Sequence, residues 1–284
     1  MSCSPDFEKN SYTCYTLEDL KKIANNYNKI GDTTNKIDFK KYKSKKSLHN
    51  AIIKANYSKC ENNEFCWLKQ NYMTINKDIN NFLVKFRPAA PNSWKENPTK
   101  WLDTINLLNV MKQYDEKYKD FKFLGVYPID FNTKLNTNRC VSNTMCNLNI
   151  KDLVKNKIYK LGNIFNLDKH YQSGSHWVSL FVNLNPKSKN KGCYYYDSAG
   201  VSAPFEVRNL VNKITQQYKE LTNHDLKFHQ NTTRHQLKNS ECGVFSLYFM
   251  DQSLKNISFN KFLNKKNLND NYMLELRKTF FNIF

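Results

Sequence analysis

Apolar residues return at helical spacing through TLEDLKKIANNY, residues 16 to 27, behind Thr16 and with Asp19 three residues on, a pattern that predicts a capped amphipathic helix. INKDINNFLVKF, residues 75 to 86, repeats that pattern and stops before Arg87 and Pro88. The stretch RPAAPNSWKENP, residues 87 to 98, holds three prolines and marks a turn or linker. Beyond it, PTKWLDTINLLNVMKQYDEKYKDF predicts a long amphipathic helix opening near Pro98.

From about residue 120 the period shortens. FKFLGVYPIDF (121 to 131), HWVSLFVNL (176 to 184) and GCYYYDS (192 to 198) are short apolar and aromatic runs bounded by Gly, Pro, Asn and Ser, the pattern of strands in a buried sheet. Helical spacing resumes at about 205 to 221 and again from 242. The fold class is therefore α+β, with a helical N-terminal arm over residues 1–93 and a core domain over residues 94–284. The polar segment NPKSKNKG joins two of the strands and predicts an antiparallel hairpin. With its centre near residue 187, His176 and Asp197 face each other at the open end.

At 284 residues the chain is long enough to bury a substantial core, and it contains no apolar run of about 18 residues that could span a bilayer. The opening residues MSCSPDFEKN lack the basic and apolar regions of a secretory signal, so an intracellular protein is expected. Eight cysteines are scattered without any CxxC. The pairs Cys60/Cys66 and Cys140/Cys146 fit zinc-ligand spacing poorly, and buried free thiols are the expectation for most of the eight. No metal or organic cofactor is implied. The net charge of +19 admits a nucleic-acid partner, but the excess is spread along the chain. Its one dense cluster is KKYKSKK, Lys40 to Lys46, which also reads as a solvated face.

The chemistry concentrates in RHQLKNSECGVFSLYFM, residues 234 to 250, where a polar run meets an apolar one at Cys242. From Cys242 onward the segment is apolar nearly all round, as a helix buried in the core would be. A thiol in the first turn of such a helix meets unpaired N–H groups and the positive end of the dipole. With a neighbouring imidazolium, its pKa would fall from about 8.5 into the range of roughly 3.5 to 7.5. A His beside a carboxylate at adjacent strand ends is oriented by it and made more basic, which makes His176 and Asp197 the candidate base pair. Gln236, six residues before Cys242, is placed to complete an oxyanion hole with the Cys242 backbone N–H. Taken singly, each fits a plainer role: Cys242 and Trp177 as core residues, His176 as a satisfied histidine, Asp197 as a turn cap. His170 is a rival base in the loop LDKHYQSG, and His235 adjoins Gln236 without an assigned step.

The segments GSHWVSL, YYYDSAG and RHQLKNSECGVFSLYF, in that order, resemble the His, Asp, Gln and Cys segments of the adenovirus-protease and SUMO-protease superfamily of cysteine peptidases. They are most similar to those of a viral polyprotein-processing member. The resemblance covers roughly residues 94 to 284. It implies a papain-like, adenain-like core with a mixed sheet and a buried helix carrying the cysteine. It also implies a peptidase in which His176 is general base and then acid, Asp197 orients it, Cys242 forms the acyl-enzyme and Gln236 stabilises the oxyanion. Trp177 would roof a narrow channel for Gly-Gly before the scissile bond. The implied substrates are viral polyproteins with Gly-Gly-Xaa sites, met in host cytoplasm, viral factories and virions. A SUMO or ubiquitin-like deconjugase is the alternative function, and a basic packaging protein on a protease fold is a second.

Overall fold

The computed structural model describes residues 3–4, 12–30, 36–39, 41–75, 78–136 and 139–282. It divides into two compact units, Met1–Ala90 with Thr279–Phe284, and Pro91–Lys278.

The first unit is helical, with α1 (Leu17–Ile30), α2 (Lys45–Cys60) and three short helices, α3 (Glu64–Trp67), α4 (Asn71–Thr74) and α5 (Ile79–Leu83). Thr16 and Asp19 cap α1 reciprocally: the Thr16 N–H donates to Asp19 Oδ2 at 2.7 Å and the Asp19 N–H to Thr16 Oγ1 at 3.1 Å. Tyr15, Leu20, Ile23, Ile52, Trp67 and Met73 are all buried in one cluster. The helix expected over 75 to 86 contracts to the five residues of α5, and residues 76 and 77 lie outside the described ones, as does Lys40 of the basic cluster.

The second unit carries the sheet. α6 (Thr104–Lys117) leads into β1 (Phe121–Pro128); α7 (Asn143–Cys146) and α8 (Ile150–Lys155) cross to β2 (Lys160–Asn166); then follow β3 (Trp177–Asn183), β4 (Gly192–Tyr196), α9 (Phe205–Thr222), β5 (Phe228–Gln230), α10 (Cys242–Leu254), α11 (Phe259–Leu263) and α12 (Asp270–Phe280). The strands lie in the order β1-β2-β3-β4-β5. The outer pairs β1/β2 and β4/β5 are parallel and the inner pairs antiparallel, so the sheet is mixed. α10 is buried along almost its whole length and packs on β3. α6 opens at Thr104 rather than near Pro98, because Asp103 and Asn106 form the capping box that starts it.

Two further expectations are corrected. Six of the eight cysteines are disulfide-bonded, as Cys3–Cys14, Cys60–Cys66 and Cys140–Cys146. Their Cα atoms lie 5.3, 5.5 and 6.5 Å apart, within the span of a disulfide. Only Cys193 and Cys242 are free thiols, both buried. The hairpin register also differs, pairing Ser179 with Tyr196, which sets Asp197 level with Val178 instead of His176. The offset is two residues, and side chains alternate with a period of two, so His176 and Asp197 still share a face.

Candidate active site

His176 is the residue before β3 and Asp197 the residue after β4, so these antiparallel neighbours deliver both to the same end of the sheet. His176 Nε2 lies 2.6 Å from Asp197 Oδ1. The Cys242 side chain lies near enough to the His176 ring to help raise its pKa, and with Nε2 turned to Asp197, Nδ1 is the nitrogen left for a thiol. Burial alone would lower the His176 pKa. The hydrogen bonds and negative charge of Asp197 and Cys242 outweigh it and raise the imidazole from its ordinary 6.5 to about 9.

Asp197 is 1% exposed and held from several sides. Its backbone N–H donates to Asn231 Oδ1 at 2.9 Å and its C=O accepts from Asn231 Nδ2 at 2.7 Å. The Ala199 N–H donates to Asp197 Oδ1 at 2.8 Å. The turn that follows requires glycine: Gly200 has φ of +74°, and a Cβ there would lie 2.8 Å from the Arg234 nitrogen.

Gln236 is buried on the loop feeding α10. Its backbone N–H donates to the Ser198 carbonyl at 2.9 Å, and its Oε1 accepts from Ser198 Oγ at 2.6 Å. These bonds fix the amide orientation and leave Nε2 as the available donor. Cys242 is the first residue of α10, where the helix N–H groups have no intrahelical acceptor. The arrangement thus joins a carboxylate, an imidazole and a thiol at a helix start, and such a set can hold a thiolate–imidazolium pair.

Trp177 is 7% exposed, and its Nε1 donates to the Leu102 carbonyl at 2.8 Å. It lines a cavity of about 450 Å³ together with Trp101, Asp103, Tyr127 and His170. Trp101, which no spacing or motif in the sequence marks, is 41% exposed on that wall. Gly243 keeps the approach close, since a Cβ there would meet the Leu102 side chain at 3.0 Å. His170 is committed elsewhere, its Nδ1 lying 2.6 Å from Asp130 Oδ2. His235 lies against the Tyr196 hydroxyl and the Leu263 carbonyl, and burial lowers its pKa. Among the described residues no cluster of three or more His, Cys, Asp or Glu side chains could hold a metal ion.

Asn231 and Arg277 are the supporting residues absent from the sequence reading. Asn231 lies 34 residues from Asp197, and no periodicity announces such a pairing. Arg277 joins the carboxylate of Glu241, 36 residues away, through two hydrogen bonds of 2.8 and 2.9 Å.

A thiol protease of Acanthamoeba polyphaga mimivirus is 30% identical over 277 residues, covering 90% of this chain and 85% of that protein. The SUMO-1 cysteine protease of African swine fever virus is 30% identical over 131 residues, 46% of each chain. The crystal structure of the African swine fever virus protease shares the fold, with a TM-score of 0.66 at 18% identity over 100% of this chain and 96% of that one. Residues 75–283 match the Ulp1 protease family, C-terminal catalytic domain, and the chain is a cysteine protease belonging to that family.

Proposed function

We propose that the protein is a cysteine endopeptidase that cleaves viral structural polyproteins after Gly-Gly, using Cys242, His176, Asp197 and Gln236. The observation that carries this reading is His176 Nε2 lying 2.6 Å from Asp197 Oδ1, on a ring whose pKa is raised by Asp197 and by Cys242 at the start of α10. The Cys242 thiolate attacks the scissile carbonyl while His176 keeps the proton. The tetrahedral oxyanion accepts hydrogen bonds from the Cys242 N–H and Gln236 Nε2. His176 then donates its proton to the leaving amine, and water, deprotonated by the same ring, releases the acyl group. Trp177 and the exposed Trp101 form aromatic walls that suit a substrate backbone without side chains, as Gly-Gly provides. The arm, residues 1–93, holds substrate or scaffold, and the enzyme acts in host cytoplasm, viral factories and the virion.

A fluorogenic Gly-Gly-Xaa peptide tests this directly. It is cleaved by the parent and not by the Cys242→Ser variant. Cleavage confined to a SUMO C-terminal substrate would instead make the protein a deconjugase, the reading favoured by the name of its African swine fever virus relative. A nucleic-acid partner is a further part of the proposal. It rests on the net charge of +19 and on a cavity of about 730 Å³ in the first unit, whose lining among the described residues includes Lys36, Lys54, Lys59, Tyr42 and Tyr57 and no carboxylate. Single-stranded DNA at low salt is expected to bind and to be released as salt rises; binding indifferent to salt, or none, counts against it.

A further inference from the structure

We infer that α12 is a clamp for the loop between Gln236 and Cys242, with Arg277 as the positioning residue that sets the nucleophile and frees the helix start for anions. The inference rests on the reading of Cys242 and Gln236 given above.

Two charged residues on α12, two turns apart and therefore on one face, hold the two ends of that loop. At the Gln236 end, Asp270 Oδ2 accepts the N–H groups of Leu237 at 2.8 Å and Lys238 at 3.2 Å. At the Cys242 end, Arg277 donates from Nε and Nη2 to both oxygens of Glu241. Arg277 and Glu241 are each 1% exposed. The guanidinium lies 4.4 Å over the Trp94 ring, and its Nη1 donates to the Lys100 carbonyl at 2.8 Å. Lys100 leads directly into Trp101 and Leu102, the wall to which Trp177 is bonded. One side chain thus ties the residue before Cys242 to the cleft wall opposite.

A buried pair of this kind is poorly explained by stability, because apolar residues of similar volume often serve as well or better. The position of Glu241 supplies a better reason. It is the N-cap residue of α10, where a carboxylate would ordinarily accept from the first-turn N–H groups. Its side chain makes no capping bond, and both of its oxygens are turned to Arg277 instead. The first-turn N–H groups of α10 are thus left without an acceptor from Glu241's side chain, available to the proposed oxyanion. The guanidinium also offsets a carboxylate one residue from the thiolate. The charged and titratable groups gathered at Cys242 are His176, Asp197 and this Glu241–Arg277 pair.

The experiment compares the parent, Arg277→Met, Arg277→Lys and the double variant Glu241→Leu/Arg277→Met, all as the full chain. The readouts are kcat and KM on the Gly-Gly-Xaa peptide, and the pH profile of Cys242 carboxamidomethylation by iodoacetamide, followed by mass. Arg277→Met is expected to lose kcat by about 100-fold, as misplaced reacting groups do, with KM within about threefold. Its alkylation midpoint moves to higher pH, and in the double variant, which lacks the released carboxylate, the midpoint returns to that of the parent. A folded Arg277→Met protein with kcat within about threefold of the parent, or with an unmoved alkylation midpoint, overturns the clamp. Where Arg277→Met does not fold, Arg277→Lys decides: the charge stays but one oxygen is released, so kcat falls about tenfold, and a parental kcat overturns the proposal. Failure of the functional reading looks different, since parent protein alkylated at Cys242 would then keep its peptidase activity.

Discussion

His176 sets the pH behaviour expected of the candidate site. Its pKa is raised in the folded protein from 6.5 to about 9, so the folded state binds a proton more tightly than the unfolded chain. The stability this contributes is fully present below about pH 6.5 and is lost as pH rises through about 9. The unfolding midpoint is expected to fall across that window in the parent and to fall less in His176→Gln, as thermal melts at a series of pH values would measure. In the proposed mechanism the same proton governs turnover, which should decline on an alkaline limb near pH 9. Asp197→Asn removes the charge that supports the imidazolium and should move that limb toward neutrality. A limb unchanged in the variant would detach Asp197 from His176. The four candidate residues, His176, Asp197, Gln236 and Cys242, could be singled out because they occur in a recognisable order with short local signatures. Asn231 and Arg277 were not, because each acts through a partner more than thirty residues away.

Between elements, the site depends on where strands and helices stop. β3 and β4 were readable from their apolar runs, and the helix at Cys242 from its unbroken hydrophobic character. β2, KLGNIFN, escaped notice because it is covered on both faces and interrupted by Gly162, so no alternation marks it. β5 is only three residues long, too short to carry a pattern. Yet β5 leads directly into Asn231, which ties down the backbone of Asp197 on both its N–H and C=O sides. Asn231→Ala leaves buried polar groups unpaired and should cost about 1 to 3 kcal/mol. It should also lower kcat by freeing Asp197. Denaturant titration paired with peptide kinetics checks both effects, and an unaffected kcat in a destabilised protein would restrict Asn231 to folding.

Across the whole molecule, the disulfides change the picture most. Spacing alone could not separate free thiols from bridges. The pairs Cys60–Cys66 and Cys140–Cys146 close short loops within their own units, which folding decides and composition does not. Closing a loop of six residues constrains the unfolded chain by about 2 kcal/mol. Replacing Cys140 and Cys146 together by Ser should lower the stability of the protein by about that amount and leave peptide cleavage intact, because neither residue belongs to the catalytic set; loss of cleavage in a folded variant would contradict this. Trp177 stands at the junction of these levels, packed like a core residue yet lining the cavity beside the site.

The measurement that bears most directly on the function is cleavage of a fluorogenic Gly-Gly-Xaa peptide by the parent and by Cys242→Ser, with a SUMO C-terminal substrate alongside. Peptide cleavage that vanishes in the variant is the expected result. Peptide cleavage that persists in Cys242→Ser, or activity on the SUMO substrate alone, would contradict a polyprotein protease acting through Cys242.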